Sequence, residues 1–230
     1  MKNYLYALAI SFLFGSLFTS SVTADEVATE GAEVGKWTMD YEAAVKLATE
    51  KKVPIMINFT GSDWCFWCKL MDENVFADEK WKTFAADNVV LVTVDFPKDQ
   101  NIVPEKFVGQ NEELKKKFGI RGYPTYIVLD SDGETQLGQL GAGRDKTPEI
   151  FIKEYKRMIL MSPSGMEAYA KANPDKADAF KAAIEEINSV KKEVDDWIAT
   201  KPQRNEENNK IFAEFQERMK AATKKLEAFE

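Results

Sequence analysis

Two cysteines separated by two residues are the side chains best suited to chemistry in this chain of 230 residues. They are Cys65 and Cys68, and the sequence has no other cysteine and no histidine. A thiolate is the nucleophile in disulfide exchange, and a second thiol close by can attack the mixed disulfide that forms and release the partner. The spacing therefore indicates thiol-disulfide exchange, with Cys65 as the attacking and Cys68 as the resolving cysteine.

The same spacing also occurs in structural zinc sites and in structural disulfides. A structural zinc site needs four cysteine or histidine ligands, and this sequence offers two. A disulfide that closes so short a loop gains little chain entropy, which disfavours a purely structural pair. The glycines at Gly141-Ala142-Gly143-Arg144 lack the frame of a phosphate-binding loop. We therefore expect no metal and no other cofactor.

The segments on either side of the motif predict how it is positioned. Val53–Thr60 is apolar, rich in β-branched residues and closed by Gly61-Ser62, which is typical of a buried strand. A helix is expected to begin at Cys65, where unpaired backbone amides and the helix dipole lower the pKa of a thiol. Val89–Asp95 predicts a second buried strand, so that strand, helix and strand form a parallel crossover unit.

The remaining patterns complete one α/β domain. Residues 40–51 have one apolar face and predict a helix that Thr38 or Asp40 caps. The other expected elements are one broken helix or two helices after the motif, a loop over Phe96–Gln110, a short helix over Glu112–Phe118, a strand over Tyr123–Asp130, a hairpin turn at Ser131-Asp132-Gly133, an edge strand over Thr135–Leu140 and a helix over Thr147–Met161.

The last part of the chain has a different pattern. Ser162–Pro174 is rich in small and turn residues and predicts a boundary. Two amphipathic helices interrupted near Pro202 then predict a helical hairpin. One apolar stripe contains Phe180, Ile184, Ile187, Val194 and Ile198, and the other contains Phe212, Phe215, Met219, Ala222, Leu226 and Phe229. The hairpin packs on itself or on the domain, or it uses these stripes for self-association or client binding.

The first residues are typical of an export signal. Lys2 is followed by an apolar run over Tyr4–Phe18 and by small residues up to Ala24, which predicts a signal peptide over 1–24 with cleavage near Ala24. The alternative is a retained anchor, although the run is shorter than the ~20 apolar residues that span a membrane. Residues 25–36 are polar and acidic, and we expect a flexible N-terminus there.

The charge of the expected mature chain excludes one class of partner. Removal of residues 1–24 takes away one lysine and no acid, so that 30 basic and 38 acidic residues remain and the net charge is −8. Binding to nucleic acid needs clustered lysine and arginine. We therefore expect no nucleic-acid partner.

Two motifs together resemble thioredoxin. Trp64-Cys65-Phe66-Trp67-Cys68-Lys69 follows a predicted strand, and Gly122-Tyr123-Pro124-Thr125 precedes another. The resemblance covers residues 37 to about 160 and is closest to the exported bacterial branch of disulfide oxidoreductases. It implies a thioredoxin fold over 37–161, an α/β fold whose central mixed sheet is flanked by helices, with the α-helical hairpin over 162–230 as an extension.

The resemblance also implies roles for residues around the cysteines. Pro124 is expected to be a cis-proline that faces the motif, and the backbone of Tyr123 is expected to pair with an extended client peptide. Gly141 and Ala142 are expected to form a third wall of this groove. The aromatic residues Trp64, Phe66 and Trp67 are expected to bind clients, although Phe66 or Trp67 could instead pack against the core.

One departure from thioredoxin affects the mechanism. Asn58 stands where thioredoxin carries a buried aspartate that helps to move the proton of the resolving cysteine. An amide cannot accept that proton, so another group or water must serve. Asp63 and Glu73 are close in sequence, but we expect both to be solvated surface carboxylates.

The expected function is that of a protein thiol-disulfide oxidoreductase acting outside the cytoplasm, in the periplasm or after secretion. A reductase or isomerase is favoured over an oxidase because no histidine lies between the cysteines to stabilise a thiolate. Exported proteins with cysteines are the expected clients, together with an unidentified electron donor or acceptor. The alternative is a client-binding or chaperone-like module in which the cysteines are secondary; a thiol peroxidase ranks last.

Overall fold

The computed structural model describes residues 27–229, which form a five-stranded mixed sheet with helices on both faces and further helices at the C-terminal end. The strands are β1 Trp37–Thr38, β2 Ile55–Thr60, β3 Val90–Asp95, β4 Thr125–Leu129 and β5 Gln136–Gly141. The helices are α1 Tyr41–Lys51, α2 Phe66–Met71, α3 Glu79–Asn88, α4 Glu105–Lys117, α5 Pro148–Leu160, α6 Pro163–Ala172, α7 Ala177–Ala199 and α8 Glu206–Leu226.

The strand order is β1-β3-β2-β4-β5. Strand β2 is parallel to β3 and antiparallel to β4, and β4 forms an antiparallel hairpin with β5. The mixed sheet, the crossover through α2 and α3 and the hairpin turn all agree with the sequence patterns. Strand β1, which pairs with β3 at the outer edge, was not expected, because two residues are too few to show a period.

The sheet has one apolar core on each face. Successive side chains of a strand point to opposite faces. Met56 therefore packs towards α2, α3 and α5, whereas Ile55 and Ile57 pack towards α1 and α4. Phe76 lies at the centre of the first core, and the rings of Trp81, Tyr126 and Phe151 lie 5.2–5.4 Å from it, edge-on. Each such fully buried apolar side chain contributes about 1.5–3 kcal/mol to folding.

The segment after β3 corrects one expectation. A loop over Phe96–Gln110 and a short helix over Glu112–Phe118 were expected, but α4 begins at Glu105 and runs for 13 residues. Pro104 is the N-cap residue of this helix. Proline lacks an N–H and is tolerated where a helix begins, so it marks the start of α4 here rather than its interruption. The buried side chains Phe107 and Leu114 lie two turns apart on the face towards the domain.

The N-terminal segment also differs from the expectation. Residues 27–36 are not without structure: Ala28 makes an isolated parallel bridge with Thr38, and Val34 makes an antiparallel one with Val90. The amide of Gly35 donates to the carbonyl of Val89 at 2.8 Å. These contacts attach the segment to the β1–β3 edge. The expected signal peptide over 1–24 lies outside the described residues.

The C-terminal helices begin earlier than the sequence suggested. The expected turn-rich boundary over Ser162–Pro174 contains α6 instead, with Ser162 as its N-cap and Pro163 in its first turn. Serine and proline are favoured at helix starts, which explains why a composition typical of turns also fits a helix. After a short break, α7 and α8 pack against each other as the expected hairpin.

The hairpin packs on the end of α5 and on α6. Phe180, Ile184 and Leu226 are buried in a cluster with Leu160 and Tyr169. Glu227, just after α8, pairs with Lys153 and Arg157 of α5. The parts of both apolar stripes that lie next to α5 and α6 are therefore buried within the chain. Ile198 and Phe212, at the end of the hairpin away from α5, are exposed. No helix within residues 27–229 combines the length and the apolar character that a membrane span requires.

Candidate active site

A tight turn between β2 and α2 presents the two cysteines. The amide of Cys65 donates to the carbonyl of Gly61 at 2.8 Å. Cys65 is extended at φ −79° and ψ 109°, is the N-cap residue of α2, and its Sγ accepts the amide of Cys68 at 3.2 Å. Strand β2 ends at the motif because its apolar run ends there, and α2 begins with a sulfur in the position where an oxygen usually caps a helix.

The two cysteines form a disulfide, with an S–S distance of 2.18 Å and Cα atoms 5.2 Å apart. Cys65 is 5% exposed and Cys68 is 1% exposed. Cys65 is therefore the slightly more exposed of the two residues, and Cys68 lies on the buried face of α2. This arrangement fits the assignment of Cys65 as attacking and Cys68 as resolving, because access to the sulfur controls which one an external thiol meets.

Trp64 joins this turn to the segment after β3. Its indole Nε1 donates to the carbonyl of Phe96 at 2.8 Å, and its ring stands edge-on to Tyr123 with centroids 5.8 Å apart. The ring lies so close to Gly61 that a Cβ there would be 2.5 Å from it. Gly61 is required at this position by close approach rather than by its backbone angles. Trp64 still has 42% of its surface exposed beside the disulfide.

Asp63 was expected to be a solvated surface carboxylate; it is partly exposed and is also hydrogen-bonded to the protein backbone. It accepts the amides of Lys98 and Asp99 at 2.9–3.0 Å. These backbone donors, Asp99 first and then Lys98, hold the pKa of Asp63 below its usual range. Its carbonyl also accepts Lys69 Nζ at 2.8 Å. Asp63 therefore fixes the cysteine turn to the loop after β3.

Asp95 is a site residue that the sequence patterns did not reveal. It ends β3, is 4% exposed, and its carboxylate accepts both the amide of Ser62 at 2.9 Å and the hydroxyl of Ser62 at 2.5 Å. Asn111 of α4 donates to its backbone carbonyl at 3.0 Å. An acidic residue at the end of an otherwise apolar strand was the signal that could have pointed to it, because a buried acid needs a partner.

The start of β4 lies beside the cysteine turn, where the Tyr123 ring contacts Trp64. The Tyr123–Pro124 peptide bond is cis. Thr125 follows it directly and pairs with Gly141 at the end of β5. This register brings Gly141 and Ala142 next to the proline. No side chain stands within 4 Å of the place where a Cβ of Gly141 would be, so the backbone is open there.

The two residues between the cysteines form an aromatic pair at the rim. Phe66 is 67% exposed, and its ring stands edge-on to Trp67 with centroids 5.7 Å apart. Trp67 is partly buried, and the guanidinium of Arg144 lies 5.8 Å from its ring. Neither ring belongs to the domain's main cores. Phe66 is the more exposed ring of the pair.

A group of polar side chains lies beneath α2. Asn58, Thr60 and Tyr126 are buried, and Asn58 Oδ1, Thr60 Oγ1 and the Tyr126 hydroxyl have no hydrogen-bond partner among the described residues. Asp72 follows one turn after Cys68, and its amide donates to the Cys68 carbonyl. Burial, and then the like charges of Asp95 and Glu73, raise the pKa of Asp72 to about 6. Glu73 itself is exposed.

The described part of the chain brings no three metal-ligating side chains together. The chemistry available at this site is that of the two sulfurs, the backbone amides of the α2 start and the carboxylates around them.

The sequence of this domain is similar to those of known proteins. Residues 36–131 match the sequence model of a family described as thioredoxin-like. The disulfide bond reductase DsbH of Chlamydia pneumoniae is 36% identical over 101 residues, which are 44% of this chain and 60% of the relative. The thioredoxin-related protein DsbJ of the same organism is 29% identical over 111 residues, 48% of this chain and 31% of the relative.

A solved structure described as a DsbH oxidoreductase superposes with a TM-score of 0.51 at 26% identity, covering 61% of this chain and 96% of that one. The expected thioredoxin fold with additional C-terminal helices is therefore confirmed. The matched sequence spans less than two thirds of the length of either curated relative. Residues 36–131, which carry both cysteines, are therefore similar in sequence to the thioredoxin-like family.

Proposed function

We propose that this protein catalyses thiol-disulfide exchange on other proteins and works as a reductase or an isomerase. One observation carries the proposal: Cys65 caps the start of α2, and its sulfur accepts the amide of Cys68. A donor aimed at this sulfur favours its charged form, because a hydrogen bond to a thiolate stabilises it. Cys65 thus attacks a client disulfide, and Cys68 resolves the mixed disulfide.

The direction of the reaction is argued from what surrounds the sulfurs. The residues between the cysteines are Phe66 and Trp67, and neither can donate a hydrogen bond from a cationic ring to the Cys65 thiolate as a histidine could. A less stabilised thiolate favours the disulfide form and gives a more reducing pair. A curated relative that bears the name of a disulfide bond reductase supports the same direction.

Clients are proposed to bind as extended segments across the rim of the site, which is the surface around the disulfide. Trp64 and Phe66 offer exposed aromatic faces on one side, 42% and 67% exposed respectively. The backbone at Tyr123-Pro124 and the open strand end at Gly141-Ala142 form the other side. The Trp67 ring stands edge-on to the Phe66 ring. Main-chain pairing along such a rim gives affinity for many sequences, which suits an enzyme that acts on varied proteins.

The proposed compartment is the periplasm or the exterior of the cell, reached after cleavage near Ala24. The apolar run over Tyr4–Phe18 supports export. Edman sequencing of the protein recovered from the periplasmic or culture fraction tests this, with Asp25 as the expected first residue. Proteins with cysteines, a thiol-based electron donor or acceptor, and self-association through the C-terminal stripes are the proposed partners.

The test of the function is the reduction potential of the Cys65–Cys68 pair. The protein is equilibrated in glutathione or dithiothreitol buffers and its free thiols are trapped and counted. A potential near that of thioredoxin, about −270 mV, or near that of an isomerase, about −180 mV, is the expected result. A value near −120 mV would identify an oxidase instead. A pair that does not cycle would contradict the proposal and favour a client-binding module.

A matched pair of variants completes this test. Cys68→Ser is expected to accumulate a covalent complex with a client disulfide, because the resolving thiol is missing. Cys65→Ser is expected to form none, since Cys68 is only 1% exposed and cannot be reached from outside. Non-reducing gel electrophoresis separates the two outcomes.

A further inference from the structure

The resolving step leaves a proton without an obvious acceptor in this site. Before Cys68 can attack, its thiol must lose a proton, and the residue at the centre of the neighbouring strand is Asn58, an amide. Cys68 is almost completely buried. The proton must therefore leave through the protein interior or through groups that line it. The following inference rests on the proposed exchange function.

The polar atoms beneath α2 share one face of the sheet. Asn58 and Thr60 alternate with Phe59, so both point away from the apolar core that contains Phe59. Tyr126 is the direct cross-strand partner of Asn58. Met56 and Tyr126 contact Met71 of α2 in one cluster, which shows that this face lies under the helix that carries Cys68.

Three of these atoms have unmet hydrogen-bonding capacity. Asn58 Oδ1, Thr60 Oγ1 and the Tyr126 hydroxyl are buried and lack a partner within residues 27–229, and their residues are 5%, 3% and 0% exposed. Buried polar groups in folded proteins are satisfied by protein atoms or by ordered water. A buried water makes two to four hydrogen bonds, which is the number of partners that this cluster offers.

Asp72 is the acidic residue closest in sequence to Cys68. It lies four residues after Cys68, so both side chains project from the same side of the helix. Asp72 as a whole residue is exposed. Partial burial of its carboxyl, together with the like charges of Asp95 and Glu73, raises its pKa to about 6. Besides burial, the charge of Asp72 also raises the pKa of the Tyr126 hydroxyl. The contacts of α3 and α5 with this turn are apolar, through Trp81 and Phe151 on Phe76.

We propose that Asn58, Thr60 and Tyr126 hold an internal water through which Asp72 takes the proton of Cys68 during resolution. The thiol proton passes through the water to the Asp72 carboxylate. The Cys68 electron pair forms the bond to Cys65 Sγ, and the bond between Cys65 and the client breaks with its electron pair on the client sulfur. The client leaves as a thiolate, and Asp72 returns the proton to solvent.

The experiment separates resolution from the first attack. Reduced protein is mixed with oxidised glutathione, quenched with acid at intervals and analysed by mass spectrometry for the mixed disulfide on Cys65. In the wild type, resolution is expected to quicken as pH rises through about 6, where Asp72 becomes a carboxylate. In Asp72→Asn, formation continues while resolution slows by about 10²-fold and the inflection near pH 6 disappears.

Two further variants make the result specific. Glu73→Gln removes the same charge from the next residue and is expected to keep the fast resolution, with its inflection moved to lower pH because one of the like charges that raise the Asp72 pKa is gone. Tyr126→Phe keeps the ring in its aromatic cluster, removes only the hydroxyl and is expected to slow resolution as well. If Asp72→Asn fails to fold, which circular dichroism would reveal, Tyr126→Phe still tests the proposal.

The outcomes are distinguishable. Resolution with the wild-type rate and pH profile in either Asp72→Asn or Tyr126→Phe overturns the proton path and leaves the exchange function in place. A wild-type protein that never forms the mixed disulfide overturns the exchange function and the proton path with it. Restored resolution in Asp72→Asn on addition of Asn58→Asp would support the path, because a carboxylate then stands again beside the cluster.

Discussion

The ionised carboxylate of Asp72 destabilises the folded protein. Its pKa is raised to about 6 by burial and by the like charges of Asp95 and Glu73. The folded protein therefore holds a proton on Asp72 between about pH 4 and pH 6 that the unfolded chain releases, given an ordinary aspartate pKa near 3.9. Stability contributed by the protonated form is lost as pH rises through this window.

The first prediction follows from this loss of stability as the pH rises. Asp72→Asn is expected to be more stable than the wild type at pH 7.5, and the difference is expected to shrink towards zero at pH 4, where the wild-type carboxyl is also neutral. Denaturant midpoints at the two pH values measure this. A variant less stable than the wild type at pH 7.5, or a difference that does not depend on pH, would contradict the environment assigned to Asp72.

The second prediction concerns the exposed ring of Phe66. Phe66→Ala is expected to raise the KM for a protein disulfide several-fold while leaving the rate with oxidised glutathione unchanged, because a small disulfide does not extend across the rim. Ile198→Ala is the control, since Ile198 is 52% exposed on the far part of the hairpin. Equal effects of Phe66→Ala on both substrates would remove Phe66 from the client surface.

At the scale of elements, the N-terminal segment is held against α3 by a close approach. Gly35 has a positive φ of 76°, and a Cβ there would lie 2.5 Å from the backbone of Ala86. Neither the backbone angle nor the contact tolerates a side chain. By contrast, Gly109 lies inside α4 with nothing within 4 Å of its would-be Cβ.

The third prediction uses these two glycines as a matched pair. Gly35→Ala is expected to destabilise the protein by more than about 1 kcal/mol, because both its conformation and its contact are lost. Gly109→Ala is expected to stabilise it by about 0.5–1 kcal/mol through helix propensity. Urea unfolding of both variants measures these changes in the free energy of unfolding. An unchanged free energy in Gly35→Ala would mean that residues 27–36 do not pack as described.

The elements also show where sequence patterns suffice and where they do not. Strands β2 and β3 were predictable because their residues are buried on both faces, which leaves a long apolar run. The start of α4 at Pro104 and the presence of α6 were not, since proline, serine and glycine serve both turns and helix starts. The link from Asp95 to Ser62 joins residues 33 positions apart and depends on the register of β2 and β3, which no local pattern contains.

At the scale of the whole molecule, α5 joins the domain to the C-terminal helices. Phe151 and Tyr155 lie in the core beneath the sheet, whereas Leu160, at the other end of the same helix, packs in the cluster of the hairpin. A rigid helix shared by two apolar cores couples their unfolding. We therefore expect the hairpin to unfold together with the domain.

The fourth prediction tests that coupling. Phe180→Ala removes a side chain that is 1% exposed in the hairpin cluster and is expected to cost about 3–5 kcal/mol. In the reduced protein, the loss is expected to shift one transition seen equally by far-ultraviolet circular dichroism and by thiol accessibility at Cys65 and Cys68. Phe212→Ala, at 42% exposure, is expected to change little. A separate early transition in Phe180→Ala would show that the hairpin unfolds alone.

The position of Trp64 gives the site an optical signal of its own. Its indole is next in sequence to Cys65, bonded to the Phe96 carbonyl and held edge-on to Tyr123. A disulfide quenches the emission of a nearby indole, so opening of the Cys65–Cys68 bond should brighten the protein. Trp64→Phe and Trp67→Phe would divide this change between the two tryptophans that adjoin the cysteines in sequence, while the other three continue to emit. The protein can therefore be followed through each half of its cycle by its intrinsic fluorescence, with no dye attached.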